Sequence, residues 1–251
     1  MLLFKKNKMK SIRIFTPVDA HFSTLYLAAR KKEGFVVSDE IVRLLPYPPK
    51  SHPQYAQWRL RRINSQKFCN YLQKMNSIEH VLELGCGNGW FSNEIAQVTS
   101  AQVVGLDVNF PELEQANRVF VRENLEFGYG DIFRAVFDNK FDVIVLNASA
   151  HYFPNFDQLM SRLKSLISDT GEIHLLDTHF YTNRLEANSA KQRTESYYNE
   201  LDEKEMSEFY FHHTQEDLKG FERVKNGNHL FAPFWKRSSP FGWYRWRLNS
   251  R

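Results

Sequence analysis

Five short apolar runs constrain this chain more than any other feature: HVLELG (80–85), AQVVGLDV (101–108), LEFGYGD (125–131), FDVIVLN (141–147) and GEIHLLDT (171–178). They are apolar at nearly every position, where a strand with one wet face would alternate. Segments of helical character separate most of them. Buried strands alternating with helices describe a parallel sheet covered on both faces, because each parallel connection must cross over through a helix-sized segment. The spacing predicts an α/β fold with a doubly wound, mostly parallel sheet. Local signals agree. Asn109, Pro111 and Glu112 read as N-cap, first-turn proline and capping acid of one helix. Phe156, Leu159, Leu163, Leu166 and Ile167 form the apolar stripe of another, and DTGE (169–172) turns the chain into the fifth strand.

The flanks do not keep this rhythm. Residues 1–76 read as an N-terminal extension: LYLAARKKEGFVVSDEIV (25–42) as a small hairpin turning at KKEG, a proline-rich stretch at 44–53, then a helix over 54–75. Residues 77–235 form the core domain, interrupted near 181–211 by a polar, mostly helical insertion expected to act as a lid. TQEDLKGF (214–221) reads as a short capped helix with a glycine stop, and ERVKNGNHLF (222–231) as a final hairpin around Asn226-Gly227. Residues 236–251 are a tail mixing basic and aromatic residues. Such a tail suits single-stranded nucleic acid, a membrane surface or, more commonly, a groove on its own domain. Two cysteines make no disulfide framework, which fits a reducing, cytoplasmic setting. The opening MLLFKKNKMK lacks the apolar stretch of a signal peptide, and no run is long enough to span a membrane. A net charge of +4 does not by itself imply nucleic acid.

Behind the first strand lies VLELGCGNGW (81–90). A dinucleotide loop wants glycines at its first, third and sixth positions; here Gly85 and Gly87 fit, but the sixth is Trp90. Glu83 within the strand disfavours a pyrophosphate and suits an ammonium group. Asp107 ends the second strand 22 residues after Gly85, where an acid holds a ribose diol. Together they describe a nucleoside with a cationic, phosphate-free end. At this point the chain resembles the class I S-adenosylmethionine-dependent methyltransferases over roughly residues 78–235: VLELGCGNGW is similar to their first motif, GLDVN to the following segment, GDIF (130–133) to their adenine-contacting loop and FDVIVLNASAHYF to their fourth motif. The branch acting on quinone precursors and other small metabolites is the most similar.

The resemblance implies a Rossmann-like fold of seven strands ending in an antiparallel hairpin, with S-adenosyl-L-methionine as cofactor. It implies that Gly85, Cys86, Gly87, Asn88 and Gly89 line the methionine part, Glu83 meets the amino end and Asp107 the ribose. Val108 and Asn109 would flank the adenine, Asp131 would accept from its amine and Ile132 pack on the ring, with Asn147 and Ala148 on the sulfonium side. Methyl transfer depends on an in-line approach and exclusion of water; a base is needed only for an acceptor with a high pKa. His151, in NASAHYF beyond the fourth strand, is the candidate base, and its alternative role is to cap the following helix. Tyr152, His179, Tyr181, His212, His213 and Trp58 are candidates for the acceptor pocket; Tyr55 and Arg62 share the helix of Trp58. The adjacent His212 and His213 lack the further ligands of a metal site, so none is expected. The partner implied is a small-molecule acceptor rather than nucleic acid, the fourth strand carrying NASA and not an N-P-P-Y motif. An RNA or protein target and a non-catalytic binding module are the alternatives, and nothing fixes the oligomeric state.

Overall fold

A computed structural model describes residues 10–224 and 241–248. Among these, eight strands form one sheet: β1 (Arg13–Ile14), β2 (His80–Leu84), β3 (Gln102–Asp107), β4 (Leu125–Tyr129), β5 (Phe141–Asn147), β6 (Ile167–Leu176), β7 (Glu222–Arg223) and β8 (Tyr244–Arg247). Their order is β1-β4-β3-β2-β5-β6-β8-β7. The first six run parallel, while β8 is antiparallel to both β6 and β7. Helices α1 (His21–Lys32), α2 (Asp39–Leu44) and α3 (Tyr55–Leu72) precede β2, and α4 (Trp90–Val98), α5 (Phe110–Val119), α6 (Phe156–Leu166) and α7 (Arg184–Glu200) follow it.

The central strands bury both faces. Val81, Val143 and Val145 enter a core with α3, α4 and α5, while Leu82, Leu84, Ile144 and Leu146 enter a second core with α6. Period-two alternation between two apolar layers explains why these strands carry no polar face. The order reverses between β2–β3 and β2–β5, which opens a crevice at the carboxyl ends of those strands. The turn expected at 169–172 is a loop-out within β6: Phe141 pairs with Ile167 and Val143 with Glu172.

The flanks require corrections. The segment expected to be a hairpin is helical: α1, a turn, then α2. Phe22, Leu25, Tyr26 and Ala29 make a helical stripe that packs on Tyr198, Met206 and Phe209 of the insertion. The glycine taken for a hairpin turn ends α1. Gly34 has φ +79°, its N–H donates to the Lys31 carbonyl and the Phe35 N–H to that of Arg30, the paired bonds of a Schellman ending. The extension also supplies β1, beside Gly128 and Tyr129, so the sheet has one strand more than the expected seven.

The tail is likewise no appendage. β8 lies between β6 and β7, with Trp243 and Trp246 buried. Arg245 pairs with Glu222 at 2.6 Å and Glu172 at 3.5 Å, and Arg247 with Glu222 at 2.9 Å. These two cations are engaged within the sheet. Tyr71 of α3 donates to Glu172, and Trp243 Nε1 donates to His174 Nδ1 at 3.0 Å, so the tail and the extension meet at one buried polar network. The turn expected at Asn226-Gly227 lies outside the described residues; the partner of Glu222–Arg223 is β8. Among the described residues no helix is long and apolar enough to cross a membrane.

Candidate active site

A cavity of about 270 Å³ occupies the crevice at the ends of β2 to β5. One water needs roughly 10–15 Å³ by that measure, so the space suits an organic ligand. Its floor is the glycine loop. Gly85 takes φ +78°, and a Cβ there would lie 2.4 Å from that of Ser149, whose hydroxyl donates to the Leu84 carbonyl at 2.6 Å. Only glycine passes that contact, and the loop can therefore sit directly under a ligand.

The acids expected in the crevice are there. Asp107 ends β3; its Oδ2 accepts from Gly87 N–H at 2.7 Å and its Oδ1 from Asn109 N–H at 2.8 Å. Those bonds hold the carboxylate across the loop with lone pairs left for a ligand. Glu83 is 2% exposed and accepts from the Ser92 hydroxyl. Burial, with Asp107 nearby, pushes its carboxyl up to about 8. Glu112 also lines the cavity and is pushed up to about 8, by burial and then Asp107, against Arg30 and Arg61. Its Oε2 accepts from Asn109 Nδ2 at 3.1 Å, so the residue expected only to cap α5 also faces the site.

Gly85, Cys86, Gly87, Asn88, Val108, Asn109, Asp131, Ile132, Asn147 and Ala148 line the same cavity, as do Trp58 and Tyr152. Ala148 adopts φ +54°, a left-handed conformation costly for a non-glycine residue, at the tip of β5. Three buried polar atoms of this lining have no hydrogen-bond partner among the described residues: Asn88 Oδ1, Asn147 Oδ1 and Trp58 Nε1. Buried polar groups are ordinarily satisfied, so two acceptors and one donor await a ligand bearing both kinds of partner. A nucleoside with an amino-acid end has both.

Other expected residues lie elsewhere. Gly89 is not among the lining residues; it takes φ +74° at the start of α4, where a Cβ would meet the Phe127 ring at 2.6 Å. Its lack of a side chain serves helix–sheet packing. His151 is 8% exposed, does not line the cavity and stacks on Tyr210 at 4.4 Å. Burial, with Arg30 next, holds its pKa well below the usual histidine value, so the ring is neutral. His179 is exposed against Tyr181, away from the lining. His212 Nε2 bonds Thr194 Oγ1 at 2.9 Å, whereas His213 Nε2 bonds the Ala150 carbonyl at 3.1 Å. The two rings therefore serve different partners, and neither reaches the cavity.

The roof comes from the N-terminal extension and from the insertion expected to act as a lid. Phe22, Tyr26 and Arg30 of α1, with Phe35, line one side, and Phe209 of the insertion joins them. On α3 the residue beside Trp58 in the lining is Arg61; Arg62 instead packs over Tyr47. The i, i+3 spacing from Trp58 to Arg61 was the available signal.

The family model described as "Methyltransferase domain" matches residues 75–227. A malonyl-[acyl-carrier protein] O-methyltransferase of Ilyobacter polytropus is 26% identical over 126 residues, covering 49% of this chain and 48% of the relative. A sterol 24-C-methyltransferase of Aspergillus fumigatus is 32% identical over 96 residues, 36% of this chain and 26% of the relative. The chain thus spans about half or less of these curated relatives. Among solved structures, an O-methyltransferase family protein from Burkholderia thailandensis has a TM-score of 0.52 at 11% identity, covering 80% of this chain and 62% of the other. At such identity the likeness concerns the fold.

Proposed function

The chain belongs to the class I S-adenosylmethionine-dependent methyltransferases, and from that premise we propose that it transfers a methyl group to a small organic acceptor enclosed between the strand ends and the roof. The observation that carries this reading is the set of partnerless groups on Asn88, Asn147 and Trp58 around one cavity with Glu83 and Asp107. Bound S-adenosylmethionine supplies an electrophilic methyl on a sulfonium. In our reading, Glu83 holds the ammonium and Asp107 the ribose hydroxyls. Asp131, with Val108, Asn109 and Ile132, takes the adenine, while Asn147 and Ala148 border the reacting end.

The remaining work is orientation and exclusion of water. Phe22 and Phe209 meet edge to face at 5.4 Å, and Phe22 and Tyr152 at 5.7 Å, bridging extension and insertion above the site. Such a cover suits an acceptor small enough to lie beneath it. With His151 outside the lining, an acceptor that attacks without a dedicated base fits best. No cavity residue singles out a quinone precursor. The test is incubation with methyl-labelled S-adenosylmethionine and a fractionated cell extract. Label in the small-molecule fraction is expected; label confined to RNA or protein would overturn the acceptor class.

A further inference from the structure

Among the described residues two guanidinium groups line the cavity, and they differ in one respect. Arg30 is engaged: Nη1 donates to Glu33 Oε2 and Nη2 to the Tyr152 hydroxyl, both at 2.7 Å. Arg61 makes no hydrogen bond and no ion pair with any described residue; its guanidinium lies over ring faces, Trp58 at 5.0 Å and Phe35 at 5.3 Å, with the Asp177 and Glu112 carboxyls acting on it only through space. One helical turn before it, the indole N–H of Trp58, 3% exposed, is also unpartnered. Neighbouring unpaired donors of this kind, one of them charged, call for an anion.

We infer that Arg61 and the Trp58 indole N–H form a carboxylate anchor on the cavity's roof, the anion coming either from the methionine end of the cofactor or from the acceptor. This inference rests on the methyltransferase reading above. The anchor is set in place from below: Asn64, one turn further along α3, donates to Asp177 Oδ1 at 2.5 Å just after β6, and Trp58 meets Trp90 edge-on at 5.5 Å at the start of α4. The helix is thereby held over the crevice. Charge selects the anion. Asp107 shares the cavity, so a dianion such as phosphate meets more repulsion than a single carboxylate does. A planar carboxylate also matches the donor fork of a guanidinium already stacked between aromatic faces.

The test uses calorimetric titration of the full chain and of Arg61→Met. S-adenosylhomocysteine is compared with 5′-methylthioadenosine, which has the nucleoside but no amino-acid end. The S-adenosylhomocysteine-saturated protein is then titrated with benzoate and its neutral analogue benzamide. Loss of a charge-assisted pair predicts about a 10- to 100-fold weaker interaction. If the cofactor supplies the carboxylate, Arg61→Met weakens S-adenosylhomocysteine by that factor and leaves 5′-methylthioadenosine unchanged. If the acceptor supplies it, both nucleosides bind as before and benzoate loses its preference over benzamide. Trp58→Phe, which keeps a ring and removes the donor, moves the same ligand by a smaller factor and serves if Arg61→Met does not fold. Unchanged binding of every probe by the folded variants overturns the anchor alone. Failure of the unaltered protein to bind either nucleoside overturns the methyltransferase reading beneath it.

Discussion

Glu83→Gln sets stability against binding, and the structure gives the size of each. The folded protein keeps a proton on Glu83 up to about 8, whereas an ordinary glutamate releases it near 4.5. Between those values the unfolded state binds fewer protons, so stability falls as pH rises, by about 1.4 kcal/mol per unit. The group's stabilising share is whole below the lower value and gone above the upper one. Against a glutamine that accepts from Ser92 and never ionises, the deficit reaches about 3 kcal/mol at pH 7 and about 4 kcal/mol at pH 8. Urea denaturation of both ligand-free proteins at pH 5, 6, 7 and 8 measures it. Glu112 shifts in the same direction, but it is common to both chains and cancels in the difference. The variant should match the parent near pH 5 and gain steadily to pH 8. Binding should run the other way: an ammonium needs the ionised carboxylate, so affinity of the parent for S-adenosylhomocysteine rises between pH 6 and 8 by up to about tenfold per unit, while Glu83→Gln binds weakly with a flat profile. A stability difference of equal size at pH 5 and pH 8 would refute the reasoning.

If Asp107 holds the ribose, Asp107→Ala removes two charge-assisted bonds, about 1.5–3 kcal/mol each, and calorimetry should show S-adenosylhomocysteine affinity down by tenfold or more. Gly89→Ala should cost about 2–4 kcal/mol in thermal or urea unfolding through its left-handed backbone and the Phe127 contact, with ligand affinity of the folded protein unchanged. His151→Phe should leave label-transfer rates within a few-fold; a drop of about 10²–10⁴ would restore the base role. Trp246→Ala should cost about 3–5 kcal/mol by thermal unfolding, since the ring is 9% exposed in the α6-side core; a loss under 1 kcal/mol would contradict β8 as an integral strand.

What the sequence disclosed, and what it hid, divides by the range of the interaction. The runs behind β2 to β6 were legible because burial on both faces leaves its mark at every position of a strand. Glu83, Asp107 and Asp131 were legible because each lies at or beside a strand end, where a loop-and-acid pattern has a local cause. The extension misled because Gly34 serves equally as a hairpin turn or a helix end, and only the bonds from Gly34 and Phe35 back to Lys31 and Arg30 decide between them. Tyr244, Arg245, Trp246 and Arg247 alternate as a strand should, yet their charge read as a tail laid over a groove of its own domain rather than a strand of the sheet; the balancing acids, Glu172 and Glu222, lie far off in sequence. His151 follows β5 closely enough to look catalytic, but whether it faces the cavity or Tyr210 depends on an insertion some sixty residues later. Arg61 and Arg62 are the sharpest case. Both are basic, adjacent and on one helix, and periodicity cannot say which face is inward until the neighbours of that helix are known. The buried run of Trp58, Ser65, Phe68 and Leu72 turns α3 so that Arg61 lines the cavity and Arg62 meets Tyr47. A single step of about 100° therefore separates a cavity-lining residue from one that packs on Tyr47.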